Sequence, residues 1–211
     1  MPSYEIVPYT LAHADAAADL HIEGQPGTFL TSMGRTFLRA LYAQMAISPL
    51  CFGYVAVDGN EVIGVVTGTV DSGAVFKELV LKKGHKLVLP VLGAILRHPS
   101  LVPRIVQTLF YPAQTKLEPG ECEMLYVASR ADRRGQGIGH ALYGAFVQGC
   151  RQKGYTSMAL CVDVGNPTAV RFHERQGMHP VREFTMYGRP FRWYALPLTQ
   201  ESTKHDDTDR R

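Results

Sequence analysis

Several familiar catalytic signatures are missing from this sequence. It has no Gly-Lys-Ser/Thr ending on a glycine loop, so it holds no P-loop. It has no Gly-x-Gly-x-x-Gly dinucleotide fingerprint, no His-Glu-x-x-His zinc helix and no Gly-x-Ser-x-Gly nucleophile elbow. His21-Ile22-Glu23 has no further ligand at metal spacing, so no metal is expected. The formal charge of +3 is too small to argue for nucleic acid. Only four cysteines occur, none at metal-ligand spacing, which points to free thiols in a reducing compartment. The longest apolar stretch, Leu87 to Leu96, is far too short to span a bilayer. The start, Met1-Pro2-Ser3-Tyr4-Glu5, lacks the basic and apolar regions of a signal peptide, and a cytoplasmic protein is expected.

What is present is a chain of 211 residues, 45% of them hydrophobic, enough for one domain with a real core. The expected domain covers residues 1–198, with a polar, disordered tail over 199–211. Tyr4 to Val7 reads as a strand and Leu11 to Glu23 as a helix capped by Thr10. A second helix is expected from Thr31 or Ser32 through Met45. Phe52–Val57 and Val62–Val70 read as strands joined by a turn at Asp58-Gly59-Asn60-Glu61. Glu121–Ser129 and Ser157–Val162 are further strands. His140–Lys153 and Asn166–Gln176 are helices, the second ended by Gly177. The last strands are expected at Phe184–Tyr187 and Phe191–Leu196, around Gly188-Arg189-Pro190.

Between that last strand–helix series and the first half lies an unusual segment, residues 75–119. From Leu79 to Leu117 it has no acidic residue, while Lys82, Lys83, Lys86, Arg97, Arg104 and Lys116 stand among many Leu, Val and Ile. It reads as two or three short helices. A lid, a homodimer surface, a contact with an anionic membrane through 79–112, and extra core all remain open for it.

The stretch Arg133-Arg134-Gly135-Gln136-Gly137-Ile138-Gly139 joins a strand to a helix. A glycine turn that opens a helix exposes backbone N–H donors at the positive end of the helix dipole, a site for phosphate. A mobile turn with solvated arginines is the plainer alternative. A second motif follows it, Asn166-Pro-Thr-Ala169-Val-Arg-Phe172-His173-Glu-Arg-Gln-Gly177-Met178.

The two motifs, in this order with a strand between them, resemble the GNAT superfamily of acyl-CoA N-acyltransferases. The match is strong over Glu121–Met178 and weaker over residues 4–70. The resemblance implies an α/β fold of the α+β kind. A mixed, mostly antiparallel sheet of about seven strands is flanked by helices, and 75–119 is a helical insertion. It implies acetyl-CoA as co-substrate. The pyrophosphate would sit on Arg134, Gly135, Gln136, Gly137, Ile138, Gly139 and His140. The pantetheine arm would pair beside Val127, Ala128 and Ser129, with Asn166, Ala169 and Phe172 nearby. A bulge in this strand is usual and opens the acyl pocket. Here Ser129-Arg130-Ala131 stands where the family often has Val-x-Pro, which loosens the register.

The resemblance also implies direct attack of an amine on the thioester. Glu121 and Glu123 lie two apart on the strand, so both are expected on one face with Leu125 and Val127. Glu123 is the preferred general base and Glu121 a substrate-side residue; a solvated edge charge is the alternative for both. The family's tyrosine acid is replaced by His173, which could donate a proton near neutral pH or stand by. Tyr126 and Tyr187 are other hydroxyls within plausible reach. Gln25, Phe29 and Thr31 are expected to line the acceptor side. The function implied is acetyl transfer to a primary amine of a small molecule or amino sugar. A protein N-acetyltransferase and a non-catalytic acyl-CoA-binding module are the alternatives.

Overall fold

Alternating β-branched and aromatic side chains make Cys51–Asp58 (β2) and Glu61–Thr69 (β3) paired strands of the sheet in the computed structural model. Residues 3–79, 84–108, 110 and 115–198 are described; the expected tail from Thr199 lies outside them. Glu5–Pro8 (β1) adds to the outer edge of β2. Glu121–Ser129 (β4) pairs with β3, and Ser157–Asp163 (β5) follows it. His179–Met186 (β6) and Arg189–Pro197 (β7) form a closing hairpin. The strand order is β1-β2-β3-β4-β5-β7-β6. Every pairing is antiparallel except β4 with β5.

Two layers of helix cover the sheet. Ala14–Gly24 (α1), Phe29–Ser32 (α2) and Arg35–Ile47 (α3) lie on one face, where Ala17, Leu38, Tyr42, Val55, Val65 and Tyr126 share one buried cluster. Ile138–Gln152 (after the three helices of the insertion, α7) covers the other face. Its Ile138, Leu142 and Phe146 pack with Ala56, Val66, Met124 and Leu160. Gly68 of β3 lets this helix approach; a Cβ there would collide with the Phe146 ring and with the Glu123 carbonyl. Within the insertion, Ser72–Lys77 (α4), Gly84–Arg97 (α5) and Val102–Thr108 (α6) are helical. Pro167–Arg175 (α8) lies beside β5.

Three sequence expectations change. The first helix opens as a single 3-10 turn at Leu11–His13 before α1 begins. The expected second helix is two: Gly34 takes φ 90 between α2 and α3, and Thr31 bonds back to the Gln25 carbonyl at 2.7 Å instead of capping forward. β6 begins at His179, well before Phe184, because it is an exposed edge strand with little apolar alternation to mark it.

Candidate active site

The site starts at a fork in the sheet. β4 and β5 pair in parallel only at Glu121–Ser157, Cys122–Met158 and Glu123–Ala159. Beyond Glu123, β4 stays with β3 and β5 with β7, so the two strands part. β4 is also bulged: Thr67 pairs Tyr126 and Gly68 pairs Met124, leaving Leu125 as the extra residue. The bulge changes the expected facing. Leu125 and Tyr126 both join the cluster under α1 and α3, whereas Val127 joins Cys122 and Met124 on the α7 side. Val127 therefore does not share the face of Glu123. Val127, Ala128 and Ser129 pair with Val66, Val65 and Gly64 along one edge, and their other edge faces the fork.

The fork ends at the glycine turn. Gly135 and Gly137 take φ 80 and φ 79, conformations that a side chain would strain. Gly137 is the N-cap of α7, and the first amide to bond back to it is that of Ala141, at 3.0 Å. The N–H groups of Ile138, Gly139 and His140 therefore have no helical partner and point along the dipole, as an anion requires. Ile138 anchors the turn in the core. Gly139 passes beneath the Phe172 ring, and His140 Nδ1 lies 2.9 Å from Gln176. Of the two arginines, Arg133 is tied to Asp58 at 2.6 Å. Arg134 is exposed with no carboxylate partner among the described residues, and Gln136 is exposed beside it.

At the vertex of the fork Glu123 is 1% exposed. Its Oε2 accepts a hydrogen bond from the Ser72 hydroxyl at the start of α4. Ser72 is itself held by the turn in which Asp71 accepts from the Ala74 N–H at 2.8 Å. Cys161 stands on the neighbouring strand; burial, then the Glu123 charge, push its thiol up, so it stays protonated and inert. Glu121 is engaged elsewhere, accepting from the Glu118 N–H at 3.1 Å and facing Ser157.

On the opposite face, α8 is capped by Asn166, whose Oδ1 accepts from the Ala169 N–H at 3.1 Å. Phe172 and His173 of this helix meet Tyr143 of α7, with ring centroids 6.1 and 6.3 Å from it. His173 is 7% exposed, and burial lowers its pKa from 6.5 to about 4. At pH 7 about one His173 in a thousand is an imidazolium. Its Nδ1 and the Tyr143 hydroxyl are both buried without a partner among the described residues. Burial also pushes the Tyr143 phenol up, so it remains protonated.

Phe29, expected on the acceptor side, meets Tyr187, with rings 5.0 Å apart. Tyr187 opens the two-residue turn of the β6–β7 hairpin at φ 54, a left-handed conformation. It is held by α6: its N–H donates to Gln107 Oε1 at 3.1 Å and its hydroxyl lies 2.8 Å from Thr108 Oγ1. Thr31 and Thr28 both donate to the Gln25 carbonyl, which fixes the loop before Phe29. Tyr126 donates to the Leu20 carbonyl at 2.9 Å and stacks on His21. Among the described residues no group of three His, Cys, Asp or Glu could hold a metal ion. Ser72, Tyr143 and the α6 contacts escaped the sequence reading. Only the lack of acids around α5 and α6 marked that segment as unusual.

The acetyltransferase (GNAT) family model matches residues 15–178. The chain belongs to this family. Solved acetyltransferase structures resemble this GNAT chain in fold. One from Desulfovibrio desulfuricans, assigned to the family, is 13% identical with a TM-score of 0.63, covering 93% of this chain and 99% of its own. A spermidine N-acetyltransferase chimera from Vibrio cholerae and the human enzyme is 13% identical with a TM-score of 0.60, over 93% of this chain and 96% of its own. The ribosomal-protein-S18-alanine N-acetyltransferase of Escherichia coli is 12% identical with a TM-score of 0.58, over 95% and 97%. At such identities the likeness concerns the fold. No curated protein matches the sequence of this GNAT chain.

Proposed function

We propose that the chain transfers acetyl from acetyl-CoA to a primary amine of a small molecule or amino sugar. The observation that carries this reading is the fork. The free edge of β4 runs from a buried carboxylate, Glu123, to the unpaired N–H groups at the start of α7. Acetyl-CoA supplies an activated thioester whose long arm and pyrophosphate fit those two features. The residues fit it: the two glycines of the turn leave open space for an anion, and two buried polar atoms, His173 Nδ1 and Tyr143 Oη, lack a partner between α7 and α8 among the described residues.

The residues then divide the chemistry. Backbone N–H at the bulge, near Val127, polarises the carbonyl. Glu123, held by Ser72, takes the proton of the ammonium, directly or through water. His173 is neutral at working pH, so it lines the arm and does not supply the proton for the leaving sulfur. The Tyr143 hydroxyl, buried, protonated and unpaired beside it, supports that role instead. On the acceptor side, α6 ties down Tyr187 against Phe29, which supports a small amine over a peptide chain. The four free thiols support a reducing, cytoplasmic location.

The test is a thiol-release screen of amines with acetyl-CoA, run beside Glu123→Gln and Tyr143→Phe. Release with some small amine, lost on Glu123→Gln and slowed at least about tenfold on Tyr143→Phe, is expected. Acetyl-CoA binding with no release over the whole panel would overturn the enzyme reading.

A further inference from the structure

The helix α5 is apolar nearly all round, yet it lies on the surface. Leu87, Val91 and Ala94 pack on the cluster under α3. Val88, Leu89, Leu92 and Leu96 face solvent, with Leu89 77% and Leu96 83% exposed. At 100° per residue these four fall within one stripe about 100° wide along the helix. An ordinary surface helix carries charged residues there. The helix α6 repeats the pattern, exposing Val102 and Val106 one turn apart. Most of the exposed large hydrophobics of the described residues lie in this part of the chain.

The charges decide what covers the stripe. Arg97 ends α5 and Arg104 lies in α6; both are exposed, and neither has a carboxylate partner among the described residues. Elsewhere Arg35, Arg39, Arg130, Arg133, Arg189 and Arg192 are ion-paired, while Arg134, Arg171 and Arg175 are exposed without a carboxylate partner among the described residues. The sequence holds no Asp or Glu from Leu79 to Leu117 that could pair with them. A second copy of this face would set cations against cations. The stripe is apolar, Arg97 stands at its margin, about 80° round α5 from Leu89, and the segment holds no acid; this matches a bilayer with anionic headgroups, in which side chains enter the acyl boundary and a guanidinium meets phosphate. No helix among the described residues is long and apolar enough to cross a membrane, so the contact lies in the plane of the interface.

We propose that α5 and α6 dock the protein on an anionic membrane surface. This stands apart from the proposed chemistry, because none of these side chains touches Glu123 or the glycine turn. The experiment is co-sedimentation of the full chain with vesicles of phosphatidylcholine alone and of phosphatidylcholine mixed with phosphatidylglycerol. Binding to the anionic vesicles, released by salt, is expected. Leu89→Glu and Leu96→Glu alter exposed positions, so the fold survives, and each should lower partitioning at least about tenfold. Arg97→Ala should lower it about fivefold, and Arg104→Ala, on the other side of α6 from Val102 and Val106, should lower it less. No pelleting with anionic vesicles at low salt would overturn the proposal. So would equal pelleting of the Leu→Glu variants. A concentration-dependent dimer that Leu89→Glu dissolves, without vesicle binding, would give the face to a second copy instead.

Discussion

Acid should unfold this protein early, and two buried histidines set where. His21 is stacked on Tyr126 at 4.5 Å, with Nδ1 2.8 Å from the Tyr42 hydroxyl and Nε2 buried without a partner. His173 is buried against Phe172 and Tyr143. Burial lowers each from 6.5 to about 4. In the unfolded chain both charge near 6.5. In the folded chain both stay neutral until pH falls to about 4. Between those values the unfolded state binds more protons, so stability falls as pH falls. Above that window these two groups make no contribution to the pH dependence. At about 1.4 kcal/mol per pH unit, each histidine removes about 3 kcal/mol across the window. Together they remove about 6 kcal/mol, comparable with the whole stability of an ordinary domain. Asp19 and Asp132 are held low by Arg35 and Arg130, so their losses begin only below the ordinary carboxylate value of 3.8.

Urea unfolding at a series of pH values measures this directly. The slope should approach about 3 kcal/mol per pH unit inside the window. It should halve in His173→Phe and in His21→Gln. Because Nδ1 of His173 has no partner, His173→Phe should cost little at pH 7. A slope unchanged by both substitutions would refute the reasoning. So would an NMR titration of His173 in the folded protein with a midpoint near 6.5. The same variant bears on chemistry. Ordinary turnover by His173→Phe from pH 6 to pH 9 fits a neutral imidazole that carries no proton to the thiolate.

Gly68→Ala should lower stability by about 1–3 kcal/mol, because the new methyl meets the Phe146 ring and the Glu123 carbonyl; calorimetry would show a lower melting temperature. Gly137→Ala places a side chain at φ 79 in the turn proposed to hold the pyrophosphate and should raise KM for acetyl-CoA about tenfold with kcat little changed, read from initial rates. Ser72→Ala removes the donor on a buried carboxylate and should lower kcat/KM for the amine about tenfold, with KM for acetyl-CoA unchanged and partial rescue by Ser72→Thr.

Local pattern made most of the sheet legible. The β2–β3 hairpin followed from alternation around Gly59, and the strand–glycine–helix order of β4 and α7 followed from Gly135 to Gly139. What the pattern hid was set by contacts distant in sequence. The split of the second helix depends on Thr31 bonding back to Gln25. The early start of β6 depends on its pairing with β7, not on its own residues. Glu123 could be singled out by its place on the strand. Its partner could not, because Ser72 is 51 residues away and looks like any helix-start serine. The neutrality of His173 was equally invisible, since a histidine's charge depends on what buries it.

The same contacts change the meaning of the insertion. It leaves the sheet at the end of β3 and returns at the start of β4, two strands that pair with each other. Thr69 at the end of β3 pairs Glu123 directly, so the first residues after β3 cannot avoid the vertex of the fork. Ser72 arrives there because the chain is still within one helical turn of that pairing. The far end of the insertion meets the hairpin instead, through Gln107 and Thr108 on Tyr187. The β3–β4 connection, from Ser72 before the 75–119 insertion to Thr108 within it, therefore holds both Glu123 and the Phe29–Tyr187 pair, while the outer face of α5 stays apolar. Removing it should disturb Glu123 and Tyr187 before it disturbs the sheet, because β3 and β4 keep their own ladder without it.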